Sequence, residues 1–181
     1  MKKMTFVVLL SMATAGWSGQ ACAADPAKQA YKDAKELAAA HYKTARDGCD
    51  GIAGNPKDVC VAEAKAARVR AEAEAEAQYK NNLSAYTKAR TEIADANYEV
   101  DKTRCAARTG NERDVCVKQA KSTQVAALAD AKADKKVIEA RSSAREDKRI
   151  AEYKVASERC DALAGSAKDN CVSAAKSQFG Y

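Results

Sequence analysis

Six of the seven cysteines fall into three pairs, Cys49/Cys60, Cys105/Cys116 and Cys160/Cys171, each separated by ten residues and recurring every 55 or 56 positions. The flanks repeat with them, as CDGIAGNPKDVCVAEAK, CAARTGNERDVCVKQAK and CDALAGSAKDNCVSAAK. A tyrosine stands seven residues before the first cysteine each time (Tyr42, Tyr98, Tyr153), and a glycine five after it (Gly54, Gly110, Gly165). An aspartate lies two before the second cysteine (Asp58, Asp114, Asp169), and a lysine five after it (Lys65, Lys121, Lys176). Matches at so many positions define an internal repeat, and any fold of this chain has to accommodate three such units.

Each unit reads as a helical hairpin. Tyr42, Ala45, Cys49 and Ile52 in the first copy, and Tyr153, Ala156, Cys160 and Leu163 in the third, recur in steps of three and four, which places them on one helix face. The glycine then stops the helix, because it takes the left-handed conformation at low cost. Asn55, Asn111 or Ser166 follows, and these are good N-caps for a second helix. Pro56 fits the first helical position of copy one. Asp58, Asp114 and Asp169 are expected at the third, where a carboxylate can reach back and complement the helix dipole.

The two cysteines of a pair flank this turn, five residues before the glycine and six after it, so they are expected to face each other across the hairpin. A disulfide needs Cα atoms roughly 4.4–6.8 Å apart, and the alanines nearby (Ala45, Ala53, Ala62, Ala64) allow a close approach. Structural zinc would call for clustered Cys and His at shorter spacing, and the single histidine, His41, lies beside Tyr42 rather than near a pair. No C-x-x-C redox motif occurs either. Disulfide staples Cys49–Cys60, Cys105–Cys116 and Cys160–Cys171 are therefore the expectation.

The first residues give an address that suits disulfides. Met1-Lys2-Lys3, an apolar run from about Thr5 to Trp17 and the close Ala21-Cys22-Ala23 have the three parts of a secretory signal peptide. Cleavage is expected after Ala23, giving a leader 1–23 and one helical repeat domain 24–181, with units of about 27–80, 83–137 and 138–179. Gly19-Gln20-Ala21 lacks the apolar residue that a lipoprotein leader places before its acylated cysteine, so lipidation at Cys22 is disfavoured. Losing Lys2 and Lys3 lowers the net charge from +6 to +4 and leaves an even six cysteines, the count a disulfide framework requires. The twin-lysine start suits a bacterial periplasm, and no later segment has the roughly 20 apolar residues of a membrane span.

Between the turns, Ala, Lys, Glu and Arg dominate, and no glycine or proline interrupts Lys57–Thr109 or Asn111–Ala164. The expected fold is all-α: long antiparallel helical hairpins in a coiled-coil-like bundle, with a disulfide across each of three helix turns. Four helices are expected, at about 27–53, 56–109, 111–164 and 167–179. Asn81-Asn82-Leu83-Ser84 and Arg141-Ser142-Ser143 are the points where either long helix can kink or break. Without breaks, the tips at Gly54 and Gly165 share one end and Gly110 caps a lone two-helix stalk. Asp101 and Arg108, which replace the apolar residues of the other copies, agree with a stalk that has no neighbour to bury them.

No catalytic constellation is visible. His41 lacks a nucleophile and an orienting acid, the carboxylates alternate with Lys and Arg, and no Gly-rich phosphate loop exists. The basic surplus lacks the interleaved aromatics of a nucleic-acid surface. The closing Gln178-Phe179-Gly180-Tyr181 reads as helix-end packing. Over Tyr42–Lys65 and Tyr153–Lys176 the chain resembles the Ala/Lys/Glu-rich periplasmic repeat proteins of proteobacteria labelled TolA-like, with copy two departing at Asp101, Ala106 and Arg108. The resemblance implies location and helicity, and no activity. The chain is thus expected to be a non-enzymatic periplasmic structural or interaction protein of the envelope, without cofactor, metal or nucleic acid. Its expected partner is an envelope protein or an anionic envelope polymer, and its Ala-rich and Tyr-bearing faces suit homo-oligomers. The alternative is a metal- or redox-responsive stress protein that uses the cysteine pairs as its switch.

Overall fold

A computed structural model describes residues 25–181; the expected leader, with Trp17 and Cys22, lies outside the described residues. Five helices follow one another: α1 (Pro26–Asp47), α2 (Gly54–Lys80), α3 (Leu83–Cys105), α4 (Gly110–Cys160) and α5 (Gly165–Phe179). No strand occurs among the described residues. None of these helices is long and apolar enough to cross a membrane. α1 starts at Pro26, whose missing N–H is harmless there, and the Asp25 carboxylate accepts a hydrogen bond from the Ala27 N–H at 3.0 Å.

Three disulfides close the hairpins α1–α2, α3–α4 and α4–α5, with Cα–Cα distances of 5.8, 5.6 and 5.7 Å for Cys49–Cys60, Cys105–Cys116 and Cys160–Cys171. The turns differ from the sequence expectation. The first helix of each unit ends at or just before the first cysteine instead of running to the glycine, and tight i→i+3 bonds such as Ile52 N–H to Cys49 O and Leu163 N–H to Cys160 O carry the chain onward. The glycine opens the second helix rather than stopping the first. Gly54, Gly110 and Gly165 have φ of +66°, +55° and +58°, each after an extended residue (Ala53, Thr109, Ala164). The reason is reach: packed helix axes lie about 8–10 Å apart, so the chain needs about three 3.8 Å steps to cross.

This shift also displaces the expected caps. With the helix starting at the glycine, Asn55, Asn111 and Ser166 are already its second residue and Pro56 its third, while Asp58, Asp114 and Asp169 are its fifth. None of the three starts has a side-chain cap hydrogen bond. The aspartates sit too far along to reach back. Ile52 and Leu163, expected on the apolar face, are carried into the turns and are 40% and 44% exposed.

Of the two expected weak points, one breaks. Asn81 adopts the left-handed conformation (φ 43°, ψ 46°), which asparagine tolerates, and its N–H bonds back to Ala77 O. Asn82 then caps α3, its side-chain oxygen accepting from Ala85 N–H at 2.9 Å. Arg141-Ser142-Ser143 has no such residue, and α4 runs unbroken through it for 51 residues, roughly 75 Å.

The break sets the topology. Helices pack only on their sequence neighbours among the described residues: α1 on α2, α2 on α3, α3 on α4, α4 on α5. The core between α2 and α3 is Ala73, Ala77, Ala85 and Ala89, with Ile93 against it. Small side chains here let two backbones approach closely, and the largest fully buried side chains among the described residues are Cys49, Cys105 and Cys160. Because α2 returns as α3, the tips at Gly54 and Gly110 lie together: the Asn55 side-chain amide donates to Thr103 O at 2.8 Å, and Arg104 meets Glu63 at 2.6 Å. The lone two-helix end is therefore the Gly165 tip, where only α5 accompanies α4. Asp101 does not mark an isolated stalk; it braces Arg104 at 2.9 Å for the bridge to α2.

Candidate interaction surface

The repeat tyrosines hold equivalent places and have different companions. The Tyr42 ring lies 5.5 Å from the Arg68 guanidinium, and the Tyr98 ring sits between Lys102 at 5.9 Å and Lys121 at 5.2 Å. Cations over aromatic faces fasten one helix of a hairpin to the other while keeping the charge wet. Tyr153 meets the chain end instead, with Tyr181 at 4.5 Å and Phe179 at 6.3 Å between ring centroids. Arg149 covers Tyr181 at 4.8 Å and donates to Phe179 O, and Gly180 (φ 72°) closes α5. The terminal aromatics thus pack on α4.

An open groove of about 880 Å³ runs over α2 and α3 between α1 and α4. Tyr31 and Lys35 of α1 form one wall, Tyr98 stands near the other end, and Gln124 of α4 closes the far side. Its floor is alanine with a rim of carboxylates, Glu72, Glu76, Glu92, Asp95 and Glu99. Gln124 is the one buried polar residue among the described residues, and it is satisfied: it donates to Asp95 at 2.6 Å and accepts from Lys121 at 2.7 Å. Tyr31 stacks on Tyr79 with centroids 5.1 Å apart, which pins the wall.

The carboxylates are largely neutralised from the rim. Glu76 accepts from Lys80 at 2.7 Å and Lys88 at 3.1 Å, and Lys88 also lies 3.4 Å from Glu92. Lys80 first and Lys88 second hold the Glu76 carboxyl below its usual range, and Glu76 in turn raises Lys88. At the paired tips Glu63 raises Arg104, and near the chain end Arg149 lowers Glu146. All of these pairs are solvent-facing and individually worth little.

Among the residues singled out from sequence, the structure joins each cysteine with its partner and gathers the tips with Gly54, Asn55, Gly110 and Asn111 at one end; Gly165, Ser166 and Asp169 stand at the other. His41 is exposed on α1. No grouping of three or more His, Cys, Asp or Glu suited to a metal ion occurs among the described residues. The groove was not foreseen, because it exists only once α2 folds back as α3. A lone Gln124 on an otherwise alanine face was its one local signal. The chain matches no family model, no curated protein and no solved structure at a significant level.

Proposed function

We propose that this chain is a non-enzymatic structural or interaction protein of the bacterial periplasm, exported by its leader and serving envelope maintenance through contact with another envelope protein. The carrying observation is the stapled construction: three disulfides stiffen a slender bundle whose buried positions are nearly all alanine and cystine. Such an interior leaves recognition to the outside. The groove supports a protein partner over an anionic polymer, since five carboxylates line it against only Lys35 and Lys65, a lining that offers a polyanion little.

The test uses protein purified from the periplasm. An unreduced peptide map with metal analysis should show the leader removed, the three pairs linked and no stoichiometric metal. In-cell photocrosslinking from Lys35 or Glu92 should then give one discrete envelope-protein adduct, absent from positions on the outer face of α1. Free thiols, bound metal or a tight stoichiometric small molecule would overturn the scaffold reading.

A further inference from the structure

We infer that α4 is a self-association surface, which pairs antiparallel with α4 of a second copy of this chain. α3 and α5 pack on different stretches of α4 but on the same side of it. Ala120, Gln124 and Ala131 are buried along the α3 stretch, and Cys160 is buried along the α5 stretch. At 3.6 residues per turn these four fall within a sector of roughly 40°. The opposite side is exposed, including Val137 at 46% and Val155 at 53%.

That exposed side has a regular composition. Ser122, Ala133, Ala144 and Val155 fall eleven residues apart, and two further series with the same step interleave with them, Ala129–Ala140–Ala151 and Ala126–Val137–Lys148. All are exposed. An eleven-residue period is about 3.67 residues per turn, so the face runs almost straight along the helix instead of spiralling off it. The spacing is also the same read from either end. Turned end over end about a dyad between Ile138 and Glu139, Val137 meets Ala140 of the second copy, Ala133 meets Ala144, and Ser122 meets Val155. A face that matches its own reverse is what a two-fold interface requires.

The charges beside the face select this orientation. At one edge Asp130 precedes the midpoint and Lys148, itself the end of the third series, follows it; at the other, Lys118 (one step before Ala129) and Lys132 precede it and Asp147 and Glu158 follow. Antiparallel pairing sets Asp130 by Lys148, Lys132 by Asp147 and Lys118 by Glu158, each twice. Parallel pairing in register would set every charge beside its own copy. The ion pairs of α4, Arg90–Asp134, Lys135–Glu139 and Arg149–Glu146, leave these six residues without one among the described residues.

Size sets the strength. Ser122 to Val155 spans about 50 Å, and a contact strip about 10 Å wide buries on the order of 500 Å² per copy, near the lower limit for a specific interface. The dimer is accordingly reversible and concentration-dependent. It is independent of the proposed envelope role, which can fail while the dimer stands, and the reverse.

Sedimentation of the full oxidised chain across a concentration series should show a monomer–dimer equilibrium. Lys132→Asp or Asp147→Lys alone should weaken it several-fold, and the double exchange should restore it, with helix content unchanged. Nitroxide labels at Ala140→Cys should lie within about 20 Å of each other in the dimer, and those at Lys118→Cys about 60 Å apart. A monomer at every concentration overturns the inference, as do short distances at both labels (a parallel pair) or a double exchange that fails to restore. So does saturation of this face by an envelope protein in preference to a second copy.

Discussion

Gly110 and Gly165 hold left-handed backbone in open space: nothing lies within 4 Å of where a Cβ would sit. A substitution there therefore measures the backbone alone. Gly110→Ala should lower stability by about 1 kcal/mol in urea unfolding, with Gly110→Asn costing less. Asn81 is the mirror case: Asn81→Gly should be neutral or nearly so, while Asn81→Ala costs about as much as Gly110→Ala. Glu76 adds a dependence on pH. Its carboxyl lies below the usual range when folded, so its contribution is present above the unfolded carboxylate pKa and is lost as pH falls through the folded value. The melting temperature of the wild type should thus fall more steeply on acidification than that of Glu76→Gln. Parallel curves would show the Lys80 and Lys88 bridges to be inert.

At the level of elements, the staples differ in what they hold. Each closes a short loop and should stabilise by about 3 kcal/mol on the chain-entropy account. α5 has 15 residues and touches only α4, a length at which an isolated helix is marginal in water. Replacing Cys160 and Cys171 by alanine should release it, seen as rapid deuterium uptake over Gly165–Phe179 with α1–α3 unchanged. The same change at Cys105 and Cys116 should leave α3 protected, since α2 still packs on it. Helicity, the three hairpins and the cysteine partners were legible because they depend on local spacing. The neighbour relations of the tips were not: they depend on whether Asn81-Asn82 or Ser142-Ser143 breaks, and periodicity treats the two alike. What separates them is a single tolerance for positive φ. The cap residues were misplaced for a related reason, since reach across the hairpin, rather than the identity of Asn55 or Ser166, decides where the helix starts.

The whole molecule is long. α4 alone runs roughly 75 Å, whereas a compact chain of this size has a radius of gyration of about 15 Å. Small-angle scattering of the oxidised monomer should give a clearly larger radius and a maximum dimension of at least α4's length; values near the compact figure would mean that α4 folds at Ser142. Because every helix among the described residues touches only its neighbours in sequence, this part of the chain behaves as a one-dimensional array of hairpins. The six repeat cysteines permit fifteen pairings among themselves, and nothing in thiol chemistry alone prefers one. Here each correct partner is the next cysteine along, eleven positions away and the nearest thiol in the chain. Proximity along the chain thus sorts the thiols: each pair can oxidise within its own unit, whatever the state of the other two, and the fidelity of the three disulfides is written into the spacing of the cysteines.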